Sequence, residues 1–420
     1  MIKQIRPVMS LLTGVTLLLL GSGLLNTLLA VRGSEEAFTD QAMGLIMSGY
    51  FVGFFVGTFL ALPLIRRIGH IRAFAMCAAI GSVSVMLHDA MNSPWAWGGL
   101  RVLTGTALVI LYTVIESWLN AQTPPQNRGQ VFAVYMVVNL GALAASQQLM
   151  SLAPASSYLL FALASALVTL SLVPVTGTRF GPPAVQQVKR LGIRFLWRIA
   201  PLAISAAFLS GLAMGAFWGM SALYASRIGL QTSDVATFVT AGIVGGALLQ
   251  YPVGRLSDRF DRRRVLTGIV GCAAVSALLL VPASMAPVSI LYLAIALYGG
   301  LAFAVYPIAV AHLIDHLEAS DILAGGSALL LVHGIGAAIG PALSGQLMSM
   351  TGASALPVYF AAVQGILFGV AVWKMHQRKK DETTGDPAQF VPMVRTTPTA
   401  LEMHPDDSEQ EPTPSPAAQS

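Results

Sequence analysis

The feature that most constrains this chain is a recurring one: apolar runs of about 20 residues, the length a helix needs to cross a hydrocarbon layer of roughly 30 Å. Inside such a layer every backbone N–H and C=O must find its partner within the protein, which confines runs of this kind to spanning helices. Apolar stretches and polar breaks predict helices near 8–30, 41–65, 73–91, 95–119, 130–153, 157–176, 199–225, 235–253, 265–284, 287–313, 323–349 and 355–374. The sequence is 55% hydrophobic and 10% charged, where a soluble domain carries about 25% charged residues. The surplus apolar surface faces lipid, so the expected fold is an all-α integral membrane protein of twelve transmembrane helices.

The formal charge of +5 does not point to nucleic acid, because the basic residues lie in short clusters between apolar runs and so report topology. With the N-terminus inside, all of the 24 Lys and Arg residues fall on the cytoplasmic side except Arg32, Arg101 and Arg227. An odd number of spans would scatter these clusters. Both termini are therefore expected in the cytoplasm, with the bundle in the plasma (bacterial inner) membrane. The first run follows Lys3 and Arg6 as a signal peptide would, but its length and lack of a small-residue cleavage site mark it as a retained span. Cys77 and Cys272 sit inside apolar helices and imply neither a disulfide nor a metal framework.

The longest connection, 177–198, holds Arg179, Lys189, Arg190, Arg194 and Arg198 and reads as a central cytoplasmic linker between six-helix bundles at 1–176 and 199–375. From 376 to 420 the composition turns to Lys, Asp, Glu, Thr, Pro and Ser, too polar to bury a core, and predicts a disordered cytoplasmic tail. The bundles match at an offset of roughly 192 to 195 residues: Arg67 with Arg259, Cys77 with Cys272, Gly105 with Gly299, Tyr112 with Tyr306, Asn139 with His333. A duplicated even-numbered unit gives two parallel-related halves, with a solute site between them near mid-membrane.

The strongest motif is Gly254-Arg-Leu-Ser-Asp258-Arg259-Phe-Asp-Arg262-Arg263-Arg264, between the eighth and ninth helices. Gly254 permits close helix approach, Asp258 can sit near a helix N-terminus, and the arginines can pair with acidic helix ends. The motif resembles the motif A loop of the major facilitator superfamily, which implies a latch between access states. Its first-half copy, Leu62-Pro-Leu-Ile-Arg66-Arg67-Ile-Gly69-His70-Ile-Arg72, carries Arg66 where the acid would be. Arg101-Val-Leu-Thr-Gly105 resembles motif B, whose buried arginine implies a part in proton coupling. The fifth helix, with Asn139-Leu-Gly-Ala, does not match the Gly-Pro motif of drug–proton antiporters. Arg6-Pro-Val-Met, Leu25-Asn-Thr-Leu, Gly49-Tyr-Phe-Val-Gly, Glu116-Ser, Asn127-Arg-Gly and Ala133-Val-Tyr-Met are similar to the YcaD-like branch of that superfamily. The resemblance covers roughly residues 5 to 375 and implies a transporter, with no particular cargo.

Among single residues Arg101 stands out. It lies about two turns inside the fourth helix, where a charge faces water or a partner unless it snorkels to the surface. Glu116 is on the same helix, about 22 Å away at 1.5 Å per residue, too far to pair with it. A structural or gating pair with Arg67 or Arg72 is the favoured reading, a buried proton acceptor the sharper one. Asn139 and His333 fall near mid-membrane, as cavity residues or interhelical glue, and His333 can titrate near neutral pH. The resemblance puts Asn26, Tyr112, Trp218 and Tyr306 on cavity-lining helices, as stacking and orienting groups or as packing. His312, Asp315 and His316 share a helix face, but the end of a span needs polar residues anyway and no metal is assigned; Asp315 instead lies opposite the second arginine loop. Gly53 with Gly57, and Gly211, Gly215 and Gly219, form small-residue stripes for close helix packing, and Gly334 to Pro341 favours a bend.

The expectation is a secondary active transporter of a small organic solute, working by alternating access. It is expected to be a monomer coupled to protons, without cofactor or nucleotide-binding loop. A transporter-like membrane sensor without net transport is the alternative. An enzyme would need a nucleophile and base pair that the short loops do not offer.

Overall fold

A computed structural model describes residues 8–177, 191–377 and the three tail residues 390, 393 and 397. Among these, twelve helices are long and apolar enough to span a membrane. In the first half these are α1 (Met9–Glu35), α2 (Asp40–Ile68), α3 (His70–Ala90), α4 (Pro94–Gln122), α5 (Pro125–Leu152) and α6 (Tyr158–Thr176). In the second they are α7 (Pro201–Arg227), α8 (Thr232–Arg259), α9 (Arg262–Ala283), α10 (Val288–Ile314), α11 (Ile322–Thr351) and α12 (Ala355–His376). Each coincides with an expected span, and most run a few residues further at their polar ends, where backbone hydrogen bonding continues past the apolar window. The region read as a linker contains a short helix, Ile193–Ile199, leading into α7; residues 178–190 lie outside the described part.

The two halves repeat one packing scheme. In the first, α2 packs on α4, α1 on α5 and α6, and α3 on α4 and α6; in the second, α8 packs on α10, α7 on α11 and α12, and α9 on α10 and α12. The small residues explain the closeness. A side chain on Gly105 would collide with the Tyr50 carbonyl and one on Gly299 with the Gly242 carbonyl, so the same backbone contact recurs in both halves. Gly53 and Gly57 likewise sit on α4, whereas Gly211 and Gly215 face α11 and Gly336 and Gly340 face α7. These stripes are helix seams, worth van der Waals contact where lipid supplies no hydrophobic drive.

Between halves, α2 meets α11 and α5 meets α8, a swap-related pair, and α7 also touches α1 and α2. The contacts concentrate on the face away from the linker, here the distal face. There Gly44 abuts the Pro341 carbonyl and Gly345, and Ser48 Oγ accepts from Ala342 N at 3.1 Å. Arg227 pairs with Asp40 at 2.7 Å and also donates to the Phe38 carbonyl and Ser34 Oγ. Gln148 Nε2 donates to Thr240 Oγ1 at 2.9 Å across α5 and α8. The halves are thus joined on the distal face.

Candidate functional site

A cavity of about 110 Å³ lies between the halves, on the linker side of the distal contacts. The helical period dictates its walls. Residues 50, 51, 54, 55 and 58 share one face of α2 and present Tyr50, Phe51, Phe54, Phe55 and Thr58. Met214 and Trp218 come from α7, Phe303 and Tyr306 from α10, and Leu330, Leu331 and His333 from α11. The aromatic rings brace one another: Phe303 lies 5.6 Å from Trp218, and Tyr306 lies 4.4 Å from His333. Polar groups are few. His333 Nδ1 is 3.2 Å from the Ala207 carbonyl, Thr58 Oγ1 donates to Phe54 O, and the Tyr306 hydroxyl has no hydrogen-bond partner among the described residues. Such a surface binds ring systems by stacking and orients them with one or two hydrogen bonds.

Of the residues expected at a solute site, Trp218, Tyr306 and His333 line this cavity. Asn26 instead lines a small neighbouring space with Thr27, Gln147 and Trp218, where Thr27 bonds Gln147. Arg101 stands beside both. It is 2% exposed, so it does not snorkel; Nη2 donates to Asn26 Oδ1 at 2.8 Å and the guanidinium lies 4.6 Å over the Tyr50 ring. Asn26 Nδ2 in turn donates to the Trp218 carbonyl of the other half. Arg101 is therefore absent from the cavity wall and braces two groups near it. Tyr112 and Asn139 are fully buried away from that wall: Tyr112 lies behind Phe54, and Asn139 Nδ2 donates to the Tyr135 carbonyl.

At the linker face the arrangement differs from expectation. Arg66, Arg67 and Arg72 are exposed, and among the described residues no ion pair joins any of them to Glu116. Glu116 is fully buried; its Oε1 accepts from the Tyr135 hydroxyl at 2.8 Å and its Oε2 from Thr397. Tyr135, one turn before Asn139 on α5, takes the place next to the acid that the arginines were expected to fill. In the second half, Arg262 reaches Asp315 at 2.7 Å and Asp258 at 3.6 Å. Asp261, rather than Asp258, caps α9 by accepting from Arg263 N. Gly254 makes its nearest contact with the Phe390 ring rather than with a neighbouring helix. Arg259 and Arg264 are exposed and Arg263 is half-buried. His312 and His316 pack ring to ring at 4.8 Å, and no cluster of metal-ligating residues occurs among the described residues.

Sequence reasoning missed the aromatic face of α2, although Tyr50, Phe51, Phe54 and Phe55 advertise it at helical spacing. It also read the tail as standing apart. Phe390, Met393 and Thr397 instead touch the bundle, Met393 within the cavity wall. The sign was present in Phe390-Val-Pro-Met393-Val, an apolar island in a polar stretch.

Twelve packed apolar helices in two matching halves, with a cavity at their junction, define an integral membrane protein with the architecture of a transporter. The family model described as Major Facilitator Superfamily matches residues 11–320 and 203–402, and the chain belongs to that family. A similar protein, the MFS-type transporter YcaD of Escherichia fergusonii, is 29% identical over 368 residues, covering 86% of this chain and 94% of that one. An MFS-type transporter of Enterobacter sp. is 30% identical over 369 residues, covering 85% and 93%. Among solved structures, the nucleoside transporter NupG superposes with a TM-score of 0.74 at 16% identity, covering 89% of this chain and 99% of that one. A bacterial homologue of the human lysosomal transporter Spinster, captured inward-facing and occupied, gives 0.71 at 15% identity, covering 89% and 98%.

Proposed function

We propose that the protein moves a small organic solute carrying an aromatic or other flat ring, by exposing the cavity alternately to the two sides of the membrane. The carrying observation is the cavity itself, whose walls come from both halves and whose distal side is sealed by direct interhelical contact. Rocking of the halves about the cavity, parting the distal contacts as the linker face closes, would release the solute on one side and admit it on the other. Coupling to protons is part of the reading: His333 lies against Tyr306 in the wall, where a change in its charge would be felt by the bound ring. Arg101 acts as a positioning residue, holding Tyr50 and Asn26, with cation–π attraction to Tyr50 of about 1 kcal/mol or more.

The test is a thermal-shift screen of the purified protein across aromatic and heterocyclic metabolites, followed by uptake of each hit into proteoliposomes with and without an imposed pH gradient. Hits should be taken up, faster with the gradient, and Trp218→Ala should abolish both binding and uptake. His333→Gln should keep binding while removing the effect of the gradient. Binding with no uptake in either condition would favour the sensor reading, and uptake indifferent to the gradient and to His333→Gln would remove proton coupling.

A further inference from the structure

The three described tail residues touch α8, the cavity wall and α4 in turn. Phe390 N donates to Asp258 Oδ1 at 3.0 Å, and its ring lies against Gly254 at the linker-face end of α8. Met393 is 6% exposed and contributes to the aromatic cavity. Thr397 is fully buried; its backbone N donates to Glu116 Oε2 at 3.0 Å and its hydroxyl donates to the same oxygen, at the linker-face end of α4. An extended chain covers about 3.3 Å per residue, so 390 to 397 can span roughly 23 Å. That reaches from one half to the other.

We infer that the tail is a built-in plug: Phe390 and Thr397 anchor it at the linker-face ends of α8 and α4, and Met393 places its side chain in the space a solute ring would take. The chemistry suits a reversible contact. Methionine is flexible and makes favourable contacts with aromatic edges, so it occupies an aromatic chamber without needing a shaped pocket. The anchors at either end are hydrogen bonds to carboxylates, which are strong where buried and readily exchanged for water once the segment lifts. Two consequences follow. A solute cannot enter or leave by the linker face while Met393 is seated, and that face cannot close while Phe390 and Thr397 stay on α8 and α4. The plug holds whatever solute is carried, and its test uses no solute.

The experiment uses the full-length protein in detergent, with Cys77→Ala and Cys272→Ala to remove background and Thr58→Cys as a reporter on the cavity wall. The probe is N-ethylmaleimide, and the rate of labelling is the readout. With the tail unaltered, labelling should be slow. Met393→Asp, and separately the pair Phe390→Ala and Thr397→Val, should each accelerate it at least tenfold. A buried reporter in the distal seam, Ser48→Cys, should label at one slow rate throughout. Leu331→Cys replaces Thr58→Cys if that variant does not fold. Equal cavity labelling with and without the tail substitutions would overturn the plug, as would a matching rise at Ser48→Cys, which would mean general loosening.

Discussion

The two loops that join the second helix of each half to the third are copies by position and opposites in construction. The second-half loop carries its own partners: Asp261 caps α9, and Arg262 lies between Asp315 and Asp258. The first-half loop passes from α2 to α3 through one residue, Gly69, at φ +82°, and its arginines point to solvent. The buried acid nearby, Glu116, is met by Tyr135 from α5 and by Thr397 from the tail. In the second half the cation is met by acids of its own half, whereas the buried acid of the first half takes hydrogen bonds from Tyr135 and from Thr397 of the tail, so the linker face is fastened asymmetrically although the helices are duplicated.

The largest test of this contrast is Arg262→Ala. It leaves Asp315, 10% exposed, without its nearest cation, and removing one partner of a buried pair costs about 3 kcal/mol. The apparent Tm in detergent should fall sharply, while Arg67→Ala should barely move it; equal losses would erase the distinction between the loops. Next comes Glu116→Ala, which strips an acceptor from the buried Tyr135 hydroxyl at about 2 kcal/mol. Tyr135→Phe should cost less, and the double variant should cost less than the two singles added, since they share one bond. Additive losses would mean the bond contributes nothing. On the distal face, Arg227→Ala should cost about 1 kcal/mol, because the pair with Asp40 is partly exposed. A Ser34→Cys reporter should then label faster. The smallest effect belongs to Arg66→Asp, which restores an acid at an exposed site and should shift stability by less than about 0.5 kcal/mol. A stabilisation as large as the loss in Arg262→Ala would show that this single position accounts for the contrast.

The span pattern was readable because lipid imposes one rule on every segment, length against apolarity, that local sequence satisfies by itself. The duplication was readable too, since Gly105 and Gly299 repeat one backbone contact. The site was less so. Tyr112 and Tyr306 match in sequence, yet Tyr306 lines the cavity and Tyr112 is buried behind Phe54, because the halves contribute different helices to the cavity wall. Asn139 and His333 diverge in the same way. Arg101 was rightly marked as a costly charge, but which groups it reaches depends on the crossing of α1, α2 and α4, which no single segment encodes. The partner of Glu116 was misjudged because nearness along the chain favoured the adjacent arginines, whereas a residue 281 positions away closes on it.

Gly211 never sees the cavity, yet a methyl group there would strike the carbonyl of His333, the very residue whose ring forms part of the cavity wall. The shape of the chamber is therefore governed from behind. A chemist wishing to resize it need not touch an aromatic: adding one carbon on the side of α7 that faces α11 would push α11 away from α7 and carry the imidazole with it, like a shim behind a panel.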